Sequence, residues 1–202
     1  MLDELRPGLH RWAARHPKWI PDHEAETPAD WPPDVGSVAY AALEAFVVVD
    51  PQAPADPGEL WAELDPLVES HGRPVVVLTT MRFHSRSRDA VAGHYGGTLA
   101  SARDEPPAGV RRIPIEGADE SMVWLEQPGA LVTGDRLIGN GRGGLRMCPE
   151  SWLRYIEPPI GLDGLRQALA PLLELPVELV LVSHGEPVVA DAAMAIARAV
   201  RE

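Results

Sequence analysis

The sequence holds one cysteine, Cys148, one lysine, Lys18, and two phenylalanines, Phe46 and Phe83. A single cysteine excludes an internal disulfide, and Cys148 has no Cys or His neighbour at zinc-ligand spacing, so it is expected to be an inert packed or surface thiol. No apolar run approaches the roughly 20 residues that a membrane-spanning helix needs, and the N-terminus lacks the basic, apolar pattern of a secretory leader. These absences point to a cytoplasmic protein without membrane contact. Cations are also in short supply, 18 Lys and Arg against 30 Asp and Glu for a net charge of −12. That balance argues against a nucleic-acid partner, because phosphate binding needs clustered cations that release counterions. What is present is ordinary for a folded chain: 202 residues, 45% hydrophobic, read as a single domain over 1–202.

The segment 1–34 carries Trp12, Trp19 and Trp31 among five prolines from Pro17 to Pro33. It reads as an N-terminal wrap with aromatic anchors and one strand near 9–14. Strands follow at 35–43 and 45–50, the second a continuous apolar run of the kind buried on both faces and ending in Asp50-Pro51. Apolar residues at helical spacing then predict a helix over 59–70, stopped by His71-Gly72. A buried strand at 74–80 and a short helix at 88–94 complete a β-α-β-α run, which implies a parallel pair with helices outside it. Short strands at 98–102, 111–115, 121–125 and 130–133 read as an antiparallel region, with Gln127-Pro128-Gly129 as a hairpin turn. The glycine-rich stretch 139–144 lacks the Lys-Ser/Thr of a phosphate loop and is expected to be a mobile loop near the pocket. A helix over 162–173, a buried strand over 177–182 and an amphipathic helix over 192–200 close the chain. The tryptophans are expected to be core and N-terminal anchors rather than surfaces for a substrate.

Three segments carry a likeness. Val77-Leu78-Thr79-Thr80 opens a loop and helix, Leu131-Val132-Thr133-Gly134-Asp135 ends a strand, and Val182-Ser183-His184-Gly185-Glu186-Pro187 ends another. In this order the chain resembles the metallo-β-lactamase superfamily from about residue 5 to the end. The resemblance implies an α/β fold, a four-layer αββα sandwich with mixed sheets, and a hydrolase ancestry. Members of that superfamily carry a Thr-His-x-His-x-Asp-His loop whose ligands hold one or two metal ions. Aligned on Thr80, those ligand positions fall on Met81, Phe83, Ser85 and Arg86, and the next expected His falls near Ala118. Asp135 and His184 alone keep a ligand type, so the resemblance implies a degenerate centre, with no cofactor expected and Zn or Fe as the alternative.

The candidate pocket residues are His84, Arg86, Arg88, Asp135 and His184. An Asp135 without a metal would need a counter-charge, and Arg86, or failing that Arg82 or Arg88, is placed to supply it. The leading expectation is therefore a non-catalytic module or a binder of small anionic ligands. Two alternatives stay open: a mononuclear metal-dependent hydrolase using His84, Asp135 and His184, and a structural or interaction protein, with a homodimer possible. A small-molecule ligand is the expected partner.

Overall fold

The computed structural model describes residues 2–25 and 27–201. Strands β1 (Asp3–Arg6), β2 (Leu9–Arg15), β3 (Asp34–Ala41), β4 (Phe46–Val49), β5 (Val75–Leu78) and β6 (Thr98–Leu99) form one sheet in chain order. The second sheet runs β12 (Leu179–Val182), β9 (Ala130–Thr133), β8 (Glu120–Leu125), β7 (Val110–Ile115). Helices α1 (Gly58–His71) and α2 (Arg88–Tyr95) belong to the first half, and α3 (Leu162–Leu169) and α4 (Ala192–Arg201) to the second.

Alternation along the strands builds the layers. Val47 and Val49 of β4 face the gap between the sheets, where they meet Val123, Leu125, Val132, Leu179 and Leu181. Phe46 and Val48, one residue out of phase, instead pack under α1 and α2 with Leu60, Leu64 and Val91. On β12 the same period of two sends Val180 and Val182 outward against Leu165, Leu169, Ile196 and Val200 of α3 and α4. Three apolar clusters between four layers make the αββα sandwich that the resemblance implied.

Two parallel pairs matter for the site. In the first sheet β4 runs parallel to β5, with Val49 opposite Leu78. In the second β12 runs parallel to β9, with Val182 opposite Thr133. The sheets touch where Gly36 of β3 donates its N–H to Ser183 O at 2.8 Å. A Cβ on Gly36 would lie 2.5 Å from Val182 O, so only glycine permits this approach.

Several expected elements differ. A strand β1 pairs with β2, so the start of the wrap is sheet, while residues 17–33 hold no helix or strand among the described residues. Thr98–Leu99 pairs parallel with β5 in the first sheet and is no part of the antiparallel region. The glycine-rich stretch is the tip of a hairpin between β10 (Leu137–Gly139) and β11 (Leu145–Met147), closed by Asn140 N–H to Gly144 O at 2.9 Å. The expected helix over 162–173 ends its α form at Leu169, beside Pro171, and continues as a tighter turn over Ala170–Glu174. Cys148 is buried. Among the described residues no helix is long and apolar enough to cross a membrane.

Candidate metal centre

The chemistry-bearing residues sit just past the carboxyl ends of the two parallel pairs, the place where open α/β sheets gather ligand sites. Asp50 follows β4 and Thr80 follows β5, while Asp135 follows β9 and His184 follows β12. Asp50 has φ of 48°, a left-handed bend that turns its carboxylate back toward the end of β5. There Thr80 donates its N–H to Asp50 Oδ1 at 2.8 Å and its hydroxyl to Oδ2 at 2.5 Å. A 3-10 turn over Arg82–Ser85 then carries His84 inward.

His84 lies between two carboxylates. Its Nδ1 is 2.8 Å from Asp50 Oδ2 and its Nε2 is 3.0 Å from Asp135 Oδ1. His184 Nε2 approaches the same Asp135 oxygen at 3.1 Å. Asp50 can only accept, so Nδ1 of His84 carries the proton on that side, and a neutral ring then turns a lone pair toward Asp135. Two acceptors facing each other at that distance require a proton or a cation between them. Burial and the Arg86 guanidinium oppose charge on His84, yet the Asp50 and Asp135 carboxylates outweigh them and lift its pKa to about 9. For Asp135 burial is likewise outweighed, and the charge of His84 with hydrogen bonds from both imidazoles holds the carboxyl well below its ordinary value. Burial lowers the pKa of His184, against the pull of Asp135, so this ring is the neutral partner.

His84, Asp135 and His184 each offer a ligand atom, and these atoms lie within 4.8 Å of one another. Two imidazole nitrogens and one carboxylate oxygen suit Zn or Fe(II), and the Asp135 edges of 3.0 and 3.1 Å are close to the roughly 3.3 Å edge set by zinc–ligand bonds of about 2.0–2.1 Å. Asp50 behind His84 is the carboxylate that orients a ligating histidine and sharpens its basicity. The donor set fits a single metal ion. The expectation that no cofactor is needed is therefore corrected. The group takes in none of Met81, Phe83, Ser85 and Arg86; the 3-10 turn brings in His84 from what linear alignment reads as a spacer.

Arg86 is a second correction. Its side chain turns inward from a left-handed residue with φ of 36°, but it makes no hydrogen bond to Asp135. It donates to Gly36 O at 3.0 Å, to Asp50 O at 3.1 Å and to the Ser183 hydroxyl, tying together the ends of β3, β4 and β12. The close partner of Asp135 is His84. Arg82 instead pairs with Asp119 at 3.0 Å, and Arg88 is half-exposed beside Asp89 and outside the cavity lining.

The centre opens into a cavity of about 640 Å³. Trp31 and Trp152 stand edge-on to His184, with ring centroids 5.6 and 5.3 Å away. These tryptophans thus wall the site instead of serving only as anchors. Trp31 is held by the wrap, its carbonyl accepting from Trp19 Nε1 at 2.9 Å. Lys18, Arg82, Arg86 and Arg136 bring positive charge to the lining, where Asp135 is the one acid among the described residues. His16, also in the lining, has its pKa pushed down to about 4 by burial, and further by Arg86 and the neighbouring imidazoles. The glycine-rich hairpin tip does not reach the cavity. Reading the sequence missed Asp50 as a site residue, although a buried strand ending in Asp was its visible signal; Trp31 and His16 carried none.

The sequence matches no family model and no curated protein. Solved structures do resemble the chain. The DIM-1 metallo-β-lactamase exposed to ceftazidime superposes with a TM-score of 0.63 at 10% identity, covering 100% of this chain and 96% of that one. The FIM-1 metallo-β-lactamase from Pseudomonas aeruginosa, in a mono-zinc form, gives 0.62 at 9% identity over 100% and 94%. A metallo-β-lactamase from Hirschia baltica gives 0.60 at 14% identity over 99% and 97%. Over its full length, this chain has the metallo-β-lactamase fold.

Proposed function

We propose that the chain is a hydrolase with a single metal ion held by His84, Asp135 and His184, acting on a small anionic substrate. The observation that carries this reading is the convergence of two imidazole nitrogens on one carboxylate oxygen, with a buried carboxylate behind His84. An ion bound there would supply a water of lowered pKa as nucleophile. The protein's own groups do the rest. Asp50 fixes the ring of His84, Trp31 and Trp152 shield His184 from solvent, and Lys18 and Arg82 offer charge to an anion entering the cavity. A small molecule suits a cavity of about 640 Å³ on a protein whose net charge of −12 repels nucleic acid. The reading extends to a cytoplasmic location.

The test is zinc, iron and manganese content of protein purified without chelators, followed by calorimetric zinc titration and a hydrolysis screen of anionic esters, thioesters and β-lactams. One equivalent of metal is expected, lost in His84→Ala and His184→Ala together with any activity. Absence of metal uptake near pH 9 in the wild-type chain would reject the reading.

A further inference from the structure

The turn that carries Asp135 leaves three consecutive backbone N–H groups, those of Gly134, Asp135 and Arg136, outside any strand ladder. All three point at one side chain. Glu120, at the start of β8 and buried, accepts from Gly134 N at 2.9 Å on Oε1, and from Asp135 N at 2.7 Å and Arg136 N at 2.9 Å on Oε2. Arg136, itself buried, donates its Nε to Ala118 O at 2.8 Å, which fixes the far side of the same turn. The next residue, Ser121, donates its N–H to Thr80 O at 2.8 Å, so the start of β8 holds both the Asp50 partner and the Asp135 turn.

We infer that Glu120 is a positioning residue for the metal centre: its carboxylate clamps the Gly134–Arg136 backbone and thereby sets Asp135 Oδ1 between His84 and His184. This rests on the reading of that centre as a metal site. A carboxylate suits the task because it has lone pairs for three donors and no hydrogen to oppose them, whereas a carboxamide of the same shape turns an NH2 group toward at least one N–H. Gly134 belongs to the same device. A Cβ there would lie 2.8 Å from Glu120 Oε2 and 2.7 Å from Thr80 Oγ1. A small shift of the turn moves one ligand atom away from two imidazoles at once, which a side chain that merely fills space would not do.

Glu120→Gln is the test, with zinc affinity by calorimetry and a crystal structure of the metal-free variant as readouts. Zinc binding is expected to weaken roughly 10–100-fold, as for loss of an orienting partner behind a metal ligand. Leu64→Ala, under α1 and away from the site, is the control; it should lower the melting temperature and leave zinc affinity unchanged. Should Glu120→Gln fail to fold, Gly134→Ala displaces the same clamp and carries the same expectation. Wild-type zinc affinity in the folded variant, or equal weakening in Leu64→Ala, overturns the inference. If the wild-type chain takes up no zinc, the metal reading fails, and the variant structure decides the positioning alone: Asp135 Oδ1 still at both Nε2 atoms overturns it, and displacement supports it.

Discussion

Binding of an ion at His84 has to expel a proton, and this can be counted. Without metal, the proton on Nε2 of His84 is held between the ring and Asp135, with a pKa of about 9. His184 has a lowered pKa and Asp135 one well below the ordinary value, so near neutrality the ring is uncharged, its one N–H free to sit on Nδ1, and the carboxyl is ionised. One proton should therefore leave per ion bound. Below about pH 9 the affinity should rise about tenfold per pH unit, about 1.4 kcal/mol each, and so gain roughly 100-fold over the two units leading up to that midpoint. Above the midpoint the dependence should flatten. Zinc calorimetry at neutral pH in two buffers of different ionisation enthalpy reads the proton number directly. In Asp50→Asn, with the nearer carboxylate gone, the midpoint should move down and the released fraction shrink. A proton count of zero, or of two, would refute the assignment of His84 as the charged and His184 as the neutral ligand.

The same proton bears on folding. Because the folded pKa of His84 is raised from 6.5 to about 9, its contribution is fully present below about pH 6.5 and is lost as pH rises through about 9. Urea titrations of metal-free protein should show about 3 kcal/mol lost across that window, and a flat profile would count against it. Arg86→Met should cost roughly 2–4 kcal/mol by stranding Gly36 O, Asp50 O and the Ser183 hydroxyl, and adding Asp135→Leu should not recover it, since Asp135 is not hydrogen-bonded to Arg86. Gly36→Ala should lose roughly 3 kcal/mol through the 2.5 Å approach to Val182 O; a neutral result in thermal denaturation would mean that the sheets separate freely there.

The α/β order was legible because its central strands are short, continuous apolar runs bounded by turn residues, as in Phe46–Val49, Val75–Leu78 and Leu179–Val182, whereas the four layers followed only from the resemblance. Asp135 and His184 were legible for a related reason: each lies two residues past a strand that the pattern marks. The hairpin of β10 and β11 was not, since strands of three residues have no period to read and the glycines between them signal only a turn. The position of His84 depends on a single 3-10 turn, and fixed spacing along the chain cannot show which side chain such a turn throws inward. Alignment places Arg86 as the counter-charge of Asp135, whereas two backbone carbonyls, Gly36 O and Asp50 O, and the Ser183 hydroxyl take its donors instead. Glu120 gave no signal at all, since its partners are main-chain groups fourteen to sixteen residues away.

Thr133 and Val182 are paired across the parallel ladder, and Asp135 and His184 follow each by two residues. Two of the three candidate ligands are thus anchored to one rung in the middle of the molecule, while the third, His84, rides on the turn between β5 and α2. Phe83 on that turn is exposed and can be exchanged without touching the rung, whereas Arg86, bonded to Gly36 O, Asp50 O and Ser183, cannot. A designer who wished to change the preferred ion would graft new turns onto the unaltered rung.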